Sequence, residues 1–297
     1  MLVALFPGQG SLRPGMGTPW LNHPAIAVLD EIAEVSGVDL RSLTTEAPLE
    51  ELVRTDNAQL ATYALSLMVA EAAQVEADLA VGHSLGEYSA LSYAGILSLA
   101  EGTRLVVERG RAMLEASQAN PGSLVAVLGA SPEALDATLV AHPGIVVANE
   151  NAPGQTVLAG SLDDLEALKA DAKELGLRKV VALEVGGAFH SPLMASARTR
   201  LDAALASATF EHGQIPVVAN VDALPHDGDA DWAHLLSEQL TGTVRFSSSI
   251  AALPGENLSF VELGPGGVLA GLIKRIKPEA PCRSIGEPED LMNEGAS

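Results

Sequence analysis

Asp78-Leu79-Ala80-Val81-Gly82-His83-Ser84-Leu85-Gly86-Glu87-Tyr88 sets a Gly-x-Ser-x-Gly pentapeptide between a short apolar run and a helical pattern. Asp78 to Val81 reads as the end of a buried strand. Glu87 to Leu99 puts Tyr88, Leu91, Ala94, Gly95 and Leu99 on one side of a helix. A strand that turns at once into a helix forces its corner residue into strain, and the two glycines remove side chains that would collide there. The serine hydroxyl is left at the helix N-terminus, where free N–H groups and the helix dipole favour developing negative charge. A glycine-rich turn with an incidental serine has the same spacing. The flanking strand and helix favour a nucleophile.

Working outward, Leu2 to Phe6 reads as a strand that Pro7-Gly8-Gln9-Gly10 turns sharply out of its line. Helices are expected over Pro24–Val35, Thr62–Val75 and Thr103–Gln118, the last ended by Asn120-Pro121-Gly122. This alternation predicts an α/β fold with a mainly parallel sheet. The rhythm then changes. Strand Ser123–Leu128, a helix from Ser131-Pro132 to about Ala141, strands Ile145–Ala148 and Gln155–Ala159, helix Leu162–Leu175 and strand Lys179–Val185 follow in order. That is βαββαβ, a ferredoxin-like unit. Residues 121–188 are therefore read as a small inserted domain, with 1–120 and 189–297 forming the larger one. A helix start at Ser191-Pro192, strands Val217–Val221 and Leu258–Glu262, and helix Val268–Ile276 complete it, and the last dozen residues read as loose.

With 297 residues the chain can bury a sizeable core, and with 3% aromatics Ala, Leu and Val must build most of it. A formal net charge of −21 argues against nucleic acid or an anionic membrane as partner. The most lipophilic stretch, Leu60 to Ala70, is too short to span a bilayer, and Met1 to Phe6 does not read as a secretory signal. One cysteine, Cys282, precludes an internal disulfide and suits a reducing cytoplasm. Asp227, Asp229, Asp231 and Glu238 imitate a calcium loop, but Trp232 stands where glycine is needed. Gly264-Pro265-Gly266-Gly267 fits no phosphate-loop spacing and reads as a turn. No metal or cofactor site is expected.

A serine needs a base before it is a useful nucleophile. Of the seven histidines, His190 ends Gly186-Gly187-Ala188-Phe189-His190 beside a helix start, where protonation of the ring is disfavoured. A capping histidine without a chemical task fits the same position equally well. His83 adjoins the serine but is expected to point away along the elbow, as a structural partner. Arg109 shares a helical stripe with Leu105 and Met113, so its guanidinium must find an anion or stretch to water. A carboxylate held by two parallel hydrogen bonds would suit it, as would an internal ion pair.

These residues resemble the malonyl-CoA:acyl carrier protein transacylase family of fatty acid and polyketide synthesis. The resemblance rests on Phe6-Pro7-Gly8-Gln9-Gly10-Ser11, on Gly82 through Leu91, and on Val107-Glu108-Arg109-Gly110-Arg111-Ala112-Met113. Gly187-Ala188-Phe189-His190-Ser191-Pro192-Leu193-Met194 and Glu262-Leu263-Gly264-Pro265-Gly266 extend it over almost the whole chain. It implies an α/β-hydrolase-like large domain carrying the ferredoxin-like insertion. It also implies a ping-pong acyl transfer from malonyl-CoA to the phosphopantetheine thiol of acyl carrier protein, without a cofactor. Ser84 would be acylated and His190 would serve as base and then acid, oriented by the backbone carbonyl of Gln239. Backbone N–H groups of Gln9 and Leu85 would form the oxyanion hole, and Arg109 would clamp the malonyl carboxylate. Asn149 and Asn151 match a loop bordering the site, Asn151 more closely. Leu85 and Phe189 match the malonyl-selective pattern. The basic cluster Lys274, Arg275 and Lys277, or the pair Arg178-Lys179, would receive the carrier.

Two other readings are distinguishable. A serine hydrolase would draw a triad acid from between Ser84 and His190, such as Asp163, Asp164 or Glu184. A carrier-docking module would need neither the serine nor the histidine.

Overall fold

The computed structural model describes residues 1–255 and 257–292. Its strands are Leu2–Phe6 (β1), Leu79–Gly82 (β2), Gly122–Leu128 (β3), Val146–Ala152 (β4), Gln155–Ser161 (β5), Lys179–Ala182 (β6), Val217–Val218 (β7), Pro225–His226 (β8), Ser259–Leu263 (β9) and Cys282–Ile285 (β10). Helices Ala27–Ser36 (α1), Leu40–Thr45 (α2), Leu49–Leu52 (α3), Thr55–Ala73 (α4), Gly86–Tyr93 (α5) and Leu99–Ala119 (α6) precede the second sheet. Pro132–Ala141 (α7) and Leu162–Asp171 (α8) lie within it. Ala195–Leu205 (α9), Trp232–Thr241 (α10), Phe246–Ala251 (α11) and Val268–Ile276 (α12) follow.

The larger sheet has the order β10-β9-β1-β2-β7-β8. All its pairings are parallel except β7–β8. Strands buried on both faces need near-continuous apolar sequence, and β1 and β2 supply it: Val3 to Phe6 and Leu79 to Gly82 are all buried. The smaller sheet, β4-β5-β3-β6, is antiparallel throughout. The α/β class, the mainly parallel sheet and the βαββαβ order are as expected.

α4 is the core helix. Every residue from Asn57 to Ala70 is buried, and each leucine so enclosed contributes about 1.5–3 kcal/mol of transfer free energy. Among the described residues, no helix is long and apolar enough to cross a membrane. The segment between α10 and α11 is stitched to β4. Val244 pairs in parallel with Asn149, its N–H donating to the Ala148 carbonyl at 2.9 Å and its carbonyl accepting from Glu150 N–H at 2.9 Å.

Several boundaries differ from the sequence reading. The helix expected over Glu87–Leu99 is two. α5 ends at Tyr93, Gly95 turns at φ +72°, and Ser98 caps α6 by accepting from Glu101 N–H at 3.1 Å. α4 begins at Thr55 rather than Thr62, because its polar first turn is buried against neighbours that the local pattern does not reveal. Strand Val217–Val221 shrinks to Val217–Val218, since the chain turns at Asn220. α10, α11 and β10 were not anticipated. At the C-terminus, Asp290 Oδ2 accepts from Gly286 and Glu287 N–H at 2.9 Å, so the chain to Met292 is held. The rest of the end expected to be loose, 293–297, lies outside the described residues.

Candidate active site

β2 leads into Ser84 and α5 leads out, and Ser84 sits at φ +54°. That left-handed conformation costs a non-glycine residue ~1–3 kcal/mol. A Cβ on Gly82 would lie 2.0 Å from the Gly86 carbonyl carbon, and one on Gly86 would lie 2.0 Å from the Phe6 oxygen. Glycine at both places lets the elbow press against β1. His190 also has a positive φ, +58°. Its turn is tied by Ser191 Oγ, which donates to the Ala188 carbonyl at 2.6 Å and accepts from Leu193 N–H at 3.2 Å.

The two strained residues meet. Ser84 Oγ lies 2.7 Å from His190 Nε2, and His190 Nδ1 lies 2.9 Å from the Gln239 carbonyl oxygen. A carbonyl only accepts, so Nδ1 carries the proton and Nε2 offers its lone pair to the serine hydroxyl. Burial, reinforced by the nearby Arg109 charge, pushes the imidazole down to about 3. It is therefore neutral, as a base must be, far below the usual histidine range.

Arg109 reaches the same hydroxyl from α6. Its Nη2 donates to Ser84 Oγ at 3.1 Å and to Gln239 Oε1 at 3.0 Å, and Nη1 donates to Gln59 Oε1 at 2.6 Å. The side chain is fully buried, with Cζ 5.5 Å from the Tyr88 ring centre. It forms no ion pair, and its Nε has no partner among the described residues. Burial holds its pKa below the ordinary arginine value. A desolvated, unneutralised guanidinium is a site for an anion.

Ser84 opens into a cavity of about 310 Å³ between the two sheets, lined by Gln9, Asn149, Asn151, Phe189 and Val268 among others. A larger hollow of about 700 Å³, beside Glu31, Glu71 and Tyr93, shares no lining residue with it. The N–H groups of Gln9 and Leu85 have no acceptor among the described residues, which leaves both available to a developing oxyanion. Leu85's side chain is buried in the core and does not line the cavity; of the pair matched to acyl selectivity, Phe189 alone faces it. His83 is held by Asn151, Nε2 to Oδ1 at 2.8 Å, which ties the elbow to β4.

The alternative triad acids lie elsewhere. Asp163 and Glu184 are exposed, and Asp164 bonds Ser161 Oγ at 2.6 Å in the cap of α8. Among the described residues, no carboxylate contacts His190. Asp231 caps α10 and Asp229 faces His212; no metal-holding cluster occurs among the described residues. Arg275 donates to Gln155 Oε1 at 2.7 Å, and Gln155 lines the cavity. Arg178, just before β6, and Lys179, its first residue, are exposed.

Three residues escaped the sequence reading. Gln59 supports Arg109, Asn220 accepts from Ser84 N–H at 2.7 Å, and Glu87 Oε2 accepts from Gln239 Nε2 at 2.8 Å. Gln59 had a signal, a polar side chain at the edge of the apolar stretch that begins at Leu60. Asn220 and Glu87 had none.

Residues 3–289 match the acyl transferase domain family. The malonyl CoA-acyl carrier protein transacylase of Bacillus subtilis is 39% identical over 300 residues, covering 98% of this chain and 95% of that protein. Among solved structures, the malonyl-CoA:acyl carrier protein transacylase of Xanthomonas oryzae pv. oryzae superposes with TM-score 0.91 at 40% identity, covering 97% of this chain and 95% of that one. A malonyl-transacylase in complex with its type II polyketide synthase acyl-carrier protein gives TM-score 0.92 at 31% identity, covering 98% and 97%.

Proposed function

The chain belongs to the acyl transferase domain family, and from that premise we propose that Ser84 and His190 pass an acyl group from one thiol to another in two half-reactions. The protein is a malonyl-CoA:acyl carrier protein S-malonyltransferase of fatty acid or polyketide synthesis. Malonyl-CoA is the donor and acyl carrier protein the acceptor.

In the first half, Ser84 Oγ attacks the thioester carbonyl carbon while its proton passes to His190 Nε2. The oxyanion gathers the N–H groups of Gln9 and Leu85, the largest single stabilisation expected in such chemistry. Collapse breaks the C–S bond, and CoA leaves with the proton from His190. In the second half, the carrier's phosphopantetheine thiol gives its proton to His190 and attacks the seryl ester. Ser84 then leaves and recovers the proton. The Gln239 carbonyl holds the imidazole tautomer, and Arg109 holds the malonyl carboxylate. One observation carries this assignment: a single hydroxyl lies within hydrogen-bond reach of both a neutral imidazole and an unpaired guanidinium. Intact-mass spectrometry after mixing with malonyl-CoA tests it, and a folded wild-type protein that stays unmodified would refute it.

The pH profile offers a second check. A base works only when deprotonated, so activity is lost as pH falls through the folded pKa. With that pKa depressed, kcat/KM for malonyl-CoA is expected to stay level well below pH 6.5. Bound malonyl carboxylate cancels part of the Arg109 charge, so the acid limb of kcat should lie at higher pH than that of kcat/KM. A kcat/KM limb centred near 6.5 would mean a solvated, ordinary imidazole.

Phe189 is proposed to exclude an α-methyl group from the cavity it lines. Phe189→Ser is expected to raise the methylmalonyl-to-malonyl ratio of kcat/KM by roughly 10-fold, the scale of a methyl-sized pocket difference. An unchanged ratio would remove the residue from that role. We also take 121–188 as an inserted domain within 1–120 and 189–297, which the separate sheet β3–β6 supports. A cytoplasmic setting suits a chain with one cysteine.

A further inference from the structure

β2 pairs with β7 only at Ala80–Val217 and Val81–Val218. Beyond Val218 the neighbouring chain turns away, and the polar groups at the end of β2 lose their backbone partners on that side. Asn220 replaces them. Its Oδ1 accepts from Ser84 N–H at 2.7 Å, and its Nδ2 donates to the Gly82 carbonyl at 2.7 Å. A primary amide carries the same donor and acceptor as a peptide unit, so this side chain prolongs the ladder by one rung around the elbow.

Asn220 is itself fixed. It is fully buried. Its N–H donates to Glu87 Oε2 at 3.3 Å, and its carbonyl accepts from Arg245 N–H at 2.9 Å. Glu87 is also fully buried, and its Oε2 accepts from Gln239 Nε2 at 2.8 Å. The same Nε2 donates to the Ser84 carbonyl at 2.8 Å. Both backbone polar groups of Ser84 are thus gripped by amide side chains from distant segments. Nothing in the proton transfers uses Asn220.

We propose that Asn220 is a positioning residue: its side-chain amide, braced by Glu87, holds Ser84 in the left-handed conformation that aims Oγ at His190. This rests on Ser84 being the nucleophile. Without the amide, the part-buried Ser84 N–H and the buried Gly82 C=O lose their partner, and relaxation toward negative φ relieves the strain while swinging Oγ off the imidazole. Misplacement of a reacting atom by an ångström costs about 10²-fold in rate.

The test is single-turnover malonylation of Asn220→Ala, followed by intact mass over a range of malonyl-CoA concentrations, with wild type alongside. The expected result is full adduct amplitude, a rate constant about 10²-fold lower, and a half-saturating concentration within about threefold of wild type. Asn220→Asp preserves volume and the acceptor for Ser84 N–H but loses the amide donor. It is expected to fall between alanine and wild type, and it decides the question by the same criteria should the alanine variant not fold. A wild-type rate constant in a folded variant overturns the proposal. So does reduced amplitude with an unaltered rate constant, the mark of a residue that merely supports folding. A wild-type protein that forms no adduct at Ser84 would instead overturn the nucleophile assignment itself.

Discussion

Replacing Ser84 with alanine is expected to abolish the malonyl adduct and lower transfer to the carrier by roughly 10⁵–10⁶-fold, the scale seen when a base-activated nucleophile is removed. The expectation follows from what the hydroxyl touches. Oγ is bonded to His190 Nε2 at 2.7 Å and to Arg109 Nη2 at 3.1 Å, so one atom links the base to the anion site. The alanine side chain leaves the elbow's backbone contacts with Asn220 and Gln239 in place. The variant should therefore fold, and circular dichroism with a thermal melt would separate lost chemistry from lost structure. Intact mass after incubation with malonyl-CoA is the decisive reading. An adduct of undiminished amplitude on Ser84→Ala would place the acyl group on another residue.

Arg109→Ala is expected to lower malonyl transfer by roughly 10²–10³-fold, which is about 3–4 kcal/mol, the scale of breaking a buried charge pair. Acetyl transfer should fall far less, because an acetyl group brings no carboxylate. The structure makes this discrimination sharp: the guanidinium is wholly buried, forms no ion pair among the described residues and leaves Nε without a partner. Two glutamine oxygens, from Gln59 and Gln239, orient it without neutralising it. The ratio of kcat/KM for malonyl-CoA to that for acetyl-CoA is the measurement. Equal losses for both acyl groups would leave Arg109 as a scaffold only. The substitution also removes the second cause of the low His190 pKa, so its acid limb should move to higher pH.

The elbow was legible in the sequence because it is local. Gly82, Ser84 and Gly86 sit within five residues, and steric exclusion at a sharp turn writes itself into adjacent positions. The ferredoxin-like order was legible for the same reason, from short strands punctuated by Pro and Gly. The surroundings of the serine were not. His190 lies 106 positions from Ser84, Asn220 136 and Gln239 155, so no window of sequence contains their contacts. Gln239 entered through resemblance to a family, and through its backbone oxygen alone. That its side chain joins Arg109, Ser84 and Glu87 depends on α10, a helix the sequence reading did not foresee. Arg109 stood out as a charge on an apolar stripe. The same logic, applied to α4, would have drawn attention to Gln59.

Val244 does more than join its segment to β4. β4 is an outer strand of its sheet, and an outer strand with free N–H and C=O groups is a template on which a second molecule can add by main-chain pairing. Here Val244 takes the Ala148 carbonyl and the Glu150 N–H, and Thr243 Oγ1 donates to the Val147 carbonyl at 2.7 Å. This edge of the small sheet is sealed from within the same polypeptide, so it presents no open template to a second molecule.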